Sequence, residues 1–195
     1  MRIFCFILSF FLLSVAVLGG ENQSVMAAAP AQLLKEYNIR NLYKVSTDLY
    51  RSAQPGKEDW VTLEKIGIRS VINLRNFGGG KEDTSPSKIR SFYLKWKAHR
   101  ISENDLVAVL KLIKDAPKPV LIHCFHGSDR TGAAVAAYRV VFENMLPEDA
   151  AKELTDGPFG HHKMYANIPK LIRKADWDAI RKEVDMVNDQ KVIIK

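Results

Sequence analysis

Residues 123–132 read His-Cys-Phe-His-Gly-Ser-Asp-Arg-Thr-Gly, a decapeptide that gathers the groups phosphoryl transfer needs into one short stretch. It follows an apolar, β-branched run, Val120 to Ile122, and leads into a small-residue run of helical character, Gly132 to Phe142. A loop leaving a strand and entering a helix N-terminus turns several backbone N–H groups into one concavity. With the positive end of the helix dipole behind it, such a nest binds an anion the size of phosphate. Gly127 can take the positive φ that so tight a curl demands. Arg130 stands six residues after Cys124, far enough to close the ring with a planar fork that grips two phosphate oxygens. Phe125, His126, Gly127 and Ser128 line the loop between them and are the expected phosphate-binding positions, together with Thr131.

Cys124 occupies the bottom of this nest. Amide donors, helix dipole and Arg130 all favour the thiolate, which places the thiol in the range of roughly 3.5–7.5 found for activated cysteines. Attack on phosphorus then forms a phosphocysteine that water hydrolyses, while the N–H groups and Arg130 hold the charge on the equatorial oxygens. The Thr131 hydroxyl can donate to the departing sulfur. His123, the last residue of the strand, is expected to hydrogen-bond backbone and hold the loop's shape. The bland alternative is a core cysteine that happens to precede an arginine. The ordered succession of strand, cysteine, glycine, arginine, hydroxyl and helix argues against it.

Alternating elements are needed to position such a loop, and the chain supplies them. Extended character at Leu42 to Tyr50 is followed by a helix from Glu58 to Ile66 that ends at Gly67, and by a β-rich run at Ser70 to Leu74. A glycine-rich, charged loop (Phe77 to Ser87) leads to a short strand at Phe92 to Leu94. Ser102 with Asp105 opens a helix whose apolar face is Leu106, Val109, Leu110 and Ile113. Helices are also expected from Pro147, Ile168 and Asp176 onward. Trp60, Trp96 and Trp177 read as packing residues. Strands alternating with helices, then a run of helices, predict an α/β domain.

The first residues have a different character. Arg2 precedes an apolar run from Ile3 to Leu18, and Ala27 to Ala29 offers small residues for cleavage, the layout of a secretory signal peptide. Residues 1–29 are therefore expected to be a leader and short linker, and 30–195 the functional domain of a periplasmic or secreted protein. Sixteen helical residues span about 24 Å, short of the roughly 30 Å hydrocarbon core, although an uncleaved anchor stays open. Of the two cysteines, Cys5 falls in the leader and Cys124 is left without an internal disulfide partner. The net charge of +7 suits an anionic partner or substrate.

The loop resembles the signature of the protein tyrosine and dual-specificity phosphatase superfamily: Cys, five residues, Arg, then Ser or Thr. Leu-Tyr-Arg-Ser-Ala-Gln-Pro at 49–55, Val-Ile-Asn-Leu-Arg at 71–75 and Gly-Pro-Phe-Gly-His at 157–161 extend the resemblance to the atypical dual-specificity branch. That branch is similar to inositol-phosphate phosphatases and to exported phytase-like enzymes. The resemblance implies a central, mostly parallel sheet of four to five strands flanked by helices, with the signature loop between strand and helix. It implies that no metal is needed; no other cofactor and no nucleic-acid partner are expected, nor stable membrane insertion after leader cleavage.

One departure stands out. The family places a general-acid aspartate on a loop about thirty residues before the cysteine, and here Tyr93 to Ser102 holds no carboxylate. Asp83 is too far back, and Glu103 and Asp105 open a helix. Asp129 is the better candidate for a catalytic proton donor; its other open role is to orient Arg130 or the loop. Lys95, Lys97, His99 and Arg100 are expected to flank the mouth and contact substrate phosphate, with His161 and His162 either lining the same pocket or capping a loop. This crowd of cations favours an inositol polyphosphate, phosphoproteins being the alternative and a solvated surface the bland one. An inactive phosphate-binding module and a rhodanese-type sulfur transferase are the competing classes. Retention of both Cys124 and Arg130, and the Arg-Thr-Gly ending, favour a phosphatase.

Overall fold

The computed structural model describes residues 28–78, 80 and 83–186. Its centre is four short parallel strands, β3 (Leu49–Ser52), β6 (Val120–His123), β4 (Ser70–Asn73) and β5 (Arg90–Tyr93), hydrogen-bonded in that order. Two two-residue strands, β1 (Gln32–Leu33) and β2 (Tyr43–Lys44), extend it antiparallel beyond β3. The sheet thus has six strands, one more than the upper expectation, because residues 32–33 pair as a strand too short to carry a sequence period.

Every residue of β3, β4 and β6 is buried, as befits strands covered on both faces. Their side chains alternate between two apolar clusters. Tyr50, Val71 and Leu121 face Trp60 and Leu63 of α1 (Asp59–Ile66). Leu49, Ile72, Val120 and Ile122 belong to the larger cluster, built with α2 (Glu103–Asp115), α3 (Asp129–Phe142), α4 (Pro147–Asp156), α5 (Asn167–Lys174) and α6 (Trp177–Asp185). Trp96 and Trp177 are buried there and Trp60 in the other, so all three tryptophans pack. Gly67 caps α1 in the left-handed conformation, and Ser102 with Asp105 closes a complete capping box on α2. Arg139 of α3 is fully buried and bridges Glu143 and Glu153, which ties α3 to α4.

Two features of this frame set the site. The register pairs His123 with both Ser52 and Asn73, so three strands end level and deliver Ala53, Leu74 and Cys124 to the carboxyl edge of the sheet. Ligands of open α/β sheets bind at that edge. The second feature is α3, buried along almost its whole length because Gly132, Ala133, Ala134, Ala136 and Ala137 let neighbours approach from all sides. It begins at Asp129, one turn earlier than the small-residue run suggests, which puts Asp129 and Arg130 in its first turn.

Candidate active site

The loop from Cys124 to Ser128 is pulled open from outside. Gln54 N–H donates to the Phe125 carbonyl at 3.2 Å, with Arg40 Nη2 also reaching it at 3.4 Å. Asn41 Nδ2 donates to the His126 carbonyl at 3.1 Å, and Arg51 Nη2 to that of Gly127 at 2.7 Å. A trans peptide points its C=O and N–H in opposite directions. With three successive carbonyls tethered outward, the N–H groups of His126, Gly127 and Ser128 turn into the concavity and form an anion nest. Gly127 has φ 76° and lies against β3: a Cβ there would sit 2.5 Å from the Ser52 carbonyl oxygen. Ser128 Oγ donates to the Phe159 carbonyl at 2.7 Å, so the 157–161 segment is clipped to the loop from the side.

Arg51 lies behind the nest and was not singled out as a functional residue by its sequence context. It is buried, and its guanidinium stacks 3.8 Å over the Phe159 ring. Burial lowers its pKa to about 10, with Glu153 and then Cys124 among the groups that favour its charge, so it stays a cation at neutral pH. It therefore supplies a second fixed positive charge near the sulfur, besides Arg130. The signal available in the sequence was a charged residue inside a strand otherwise buried on both faces.

Cys124 is a free thiol with 2% exposure at the floor of the site. His123 is buried beneath it, and its Nδ1 lies 3.0 Å from the Cys124 carbonyl oxygen. Desolvation lowers the His123 pKa to about 4, so the ring is neutral and Nδ1–H is the donor. Arg130 lines the cavity above the loop; Nη1 donates to the Leu74 carbonyl at 3.4 Å, and its Nε is buried without a partner. The Thr131 hydroxyl is likewise buried and unpartnered, next to the loop.

Asp129 is turned toward the 157–162 segment. Its Oδ1 accepts the His162 backbone N–H at 2.9 Å and its Oδ2 faces His162 Nδ1 at 2.8 Å. His161 Nδ1 lies 3.0 Å from Oδ1, off the line of a hydrogen bond. Both carboxylate oxygens are thus hydrogen-bonded by His162, with His161 beside Oδ1. Arg130 is bound by Leu74 and not by Asp129, so the orienting role toward Arg130 has no contact to act through.

A cavity of about 420 Å³ opens over the loop. Arg130, Asp129, Phe125 and His126 form its base and near wall, and Arg75, Phe77, His162, Met164 and Tyr165 the rest. Its rim is apolar and outward-facing: Phe77 is 82% exposed, Met164 79% and Phe125 50%. Lys95, Lys97 and His99 are exposed but do not line this cavity. Trp96 and Ala98 between them turn into the core, so the alternate residues turn to solvent, and Asn167 Nδ2 fastens the Ala98 carbonyl to α5 at 2.9 Å. Arg100 is exposed on the same 3₁₀ turn, Ala98–Arg100. Arg75, Phe77, Met164 and Tyr165 were not among the expected site residues. Arg75 closes the Val-Ile-Asn-Leu-Arg run at 71–75, but nothing in the local sequence of Phe77, Met164 and Tyr165 separates them from ordinary loop positions.

A parallel sheet that presents Cys, five residues, Arg and Thr at its carboxyl edge, ahead of a helix N-terminus, defines a cysteine-type phosphatase. Residues 38–145 match the tyrosine phosphatase family, and the chain belongs to it. It is 30% identical over 181 residues to the dual specificity protein phosphatase TpbA of Pseudomonas aeruginosa, covering 90% of this chain and 80% of that one. A crystal structure of P. aeruginosa TpbA in complex with pTyr superposes with a TM-score of 0.68 at 28% identity, over 80% of this chain and 96% of that one. The inositol diphosphatase DSP2 of Oryza sativa subsp. japonica is 29% identical over 108 residues, 51% of this chain and 53% of that one. The protein is a phosphatase of the atypical dual-specificity, tyrosine-phosphatase-like group.

Proposed function

We propose that this phosphatase hydrolyses phosphomonoesters through a phosphocysteine at Cys124, and that the phosphotyrosine side chain is the substrate its cavity fits best. The observation that carries the substrate reading is the apolar rim of Phe77, Phe125 and Met164 above an anion nest. A phosphoryl group seated in the nest leaves its aryl ring at the level of these side chains, where ring stacking and apolar contact favour it over a hydroxylated ring. The loop amides and Arg130 hold three phosphoryl oxygens, and the Cys124 thiolate attacks in line with the ester oxygen. Water then attacks the phosphocysteine, and Thr131 assists the sulfur as it leaves.

A second reading keeps the inositol polyphosphates. It is favoured by an adjoining groove of about 360 Å³ on the far side of His126 and His162, which Arg40 and Asn41 line. A substrate with several phosphates could lie across both. The similarity to a rice inositol diphosphatase supports the same reading. The leader reading of residues 1–29 adds a periplasmic or secreted location, which fractionation of the expressing cells checks.

Phosphate release from a phosphotyrosine peptide, a phosphoserine peptide and inositol hexakisphosphate, compared at equal enzyme, decides between the substrates. The phosphotyrosine peptide is expected to have the highest kcat/KM. A higher value for inositol hexakisphosphate would transfer the assignment to the second reading. Cys124→Ser should lower turnover of every substrate by at least about 10⁴-fold, as loss of a nucleophile does elsewhere. Turnover within tenfold of the parent would remove the phosphocysteine.

A further inference from the structure

Displacement by a thiolate expels an oxygen that leaves best as a neutral alcohol or phenol, so something must hand it a proton. The segment in which the family carries its acid, Tyr93 to Ser102, has no carboxylate, and its cations turn to solvent. Among the described residues, four that line the cavity could supply a proton: Asp129, His126, Tyr165 and His162. Asp129 already accepts from His162 through both oxygens. A tyrosine phenol, ordinarily near 10, is a weak acid at neutral pH. The His126 ring touches those of Phe125 and His162, and no hydrogen bond orients it among the described residues. His161, the immediate neighbour, has its side chain buried and does not line the cavity.

We infer that His162, held by Asp129, is the proton donor to the leaving group, and that Asp129 is its positioning residue. This rests on the phosphocysteine reading of the same site. Asp129 clasps His162 at two points, the backbone N–H at 2.9 Å and ring Nδ1 at 2.8 Å. A carboxylate on Nδ1 fixes that nitrogen as a donor and leaves Nε2 as the nitrogen free for substrate. The side chain is 45% exposed and shares the cavity wall with Arg130, where an ester oxygen departs from a phosphoryl group held in the nest. The charged and titratable groups around it are Asp129 and Arg130 of α3, His126 of the loop, Arg75 after β4 on the same cavity, Arg40 across the adjoining groove, neighbouring His161, and Tyr165, whose ring centroid is 6.4 Å away. Only the first is an anion.

The step balances in protons and electrons. Cys124 Sγ forms the S–P bond as the P–O ester bond breaks, and the bonding pair leaves on the ester oxygen. The imidazolium gives its Nε2 proton to that oxygen, which departs as the neutral alcohol or phenol, and His162 becomes neutral. In the second step His162 Nε2 takes a proton from water as the oxygen attacks phosphorus. Sγ leaves as thiolate, inorganic phosphate forms and the imidazolium is restored.

The test is the dependence of kcat/KM on leaving-group acidity, across substituted phenyl phosphates from p-nitrophenyl to unsubstituted phenyl, with a phosphoserine peptide at the poor end. The full chain should show a shallow dependence. His162→Gln should steepen it, so that the phosphoserine peptide slows by on the order of 10²-fold or more while p-nitrophenyl phosphate slows much less. The alkaline limb of the pH–rate profile, where the acid loses its proton, should vanish in that variant. Asp129→Asn should also steepen the dependence, since the His162 ring then loses the carboxylate that fixes Nδ1 as a donor and holds the ring in place. Parallel losses across all leaving groups with an unmoved limb overturn the assignment to His162. If Cys124→Ser still loses all turnover, that result leaves the phosphocysteine intact; turnover by Cys124→Ser would instead sink both. Should His162→Gln fail to fold, Asp129→Asn carries the same decision, and an unchanged leaving-group dependence in it overturns the proposal.

Discussion

The floor and the rim of the site are built on opposite plans. The floor is Cys124, His123, Gly127, Arg51 and Thr131, all buried and held against β3 and α3. The rim is Phe77, Phe125 and Met164, all exposed, with no role in the core. Buried polar groups must be satisfied or they cost stability, so the floor bears on folding as well as on the proposed phosphate site. Rim side chains stand outside the core, with Phe125 edge-on to the His126 ring at 4.8 Å, and can change without disturbing it. In the proposed function, position of the phosphoryl group and choice of what carries it are thereby separated.

The comparison is broken most severely at Gly127. Gly127→Ala places a Cβ 2.5 Å from the Ser52 carbonyl oxygen and 2.6 Å from the Ala53 nitrogen, at φ 76°. Both obstacles are backbone, so the loop must move. A displacement near 1 Å costs on the order of 10²-fold in rate, and kcat for p-nitrophenyl phosphate should fall at least that far. A variant with wild-type kcat would mean that the nest is not the phosphate site.

His123 tests the coupling of the floor to stability. Its pKa in the folded chain, about 4, lies below the ordinary value of 6.5 because burial disfavours the imidazolium. Between those values the unfolded chain binds a proton that the folded chain refuses, so stability falls as pH drops from about 6.5 toward 4. Urea denaturation at pH 7, 5.5 and 4 should show that decline in the parent and a flatter one in His123→Gln. Equal slopes in the two proteins would contradict a neutral, buried His123.

The smallest effect is expected at the rim. Phe77→Ala combined with Met164→Ala removes apolar area from the mouth without touching a buried group. About 1 kcal/mol of lost contact corresponds to a KM for a phosphotyrosine peptide raised roughly fivefold. The midpoint of thermal unfolding should hardly move. A loss of stability comparable to that of a core truncation would erase the distinction between rim and floor.

Residue types and their local order determined a good deal. The succession from Val120 to Gly132 already implied a strand, an anion nest and a helix, because a curl rich in N–H groups follows from chain direction and glycine placement alone. The capping box at Ser102 and Asp105, the cap at Gly67, the burial of the tryptophans and the alternation of strands with helices were legible for the same local reason. What lay beyond reach were contacts between distant segments. The sequence leaves two faces open to Lys95 and Lys97; the burial of Trp96 sends them to solvent, and only core packing decides that. Arg51 lies 76 positions from Gly127, and the parallel register of β3 with β6 brings them to a 2.7 Å hydrogen bond. Asp129 and His162 are 33 positions apart, joined because α4 folds back along α3 and returns the Gly-Pro-Phe-Gly turn to the helix N-terminus. Local patterns record period and direction. Which side chains converge depends on sheet register and helix packing, and neither is written in any one stretch of chain.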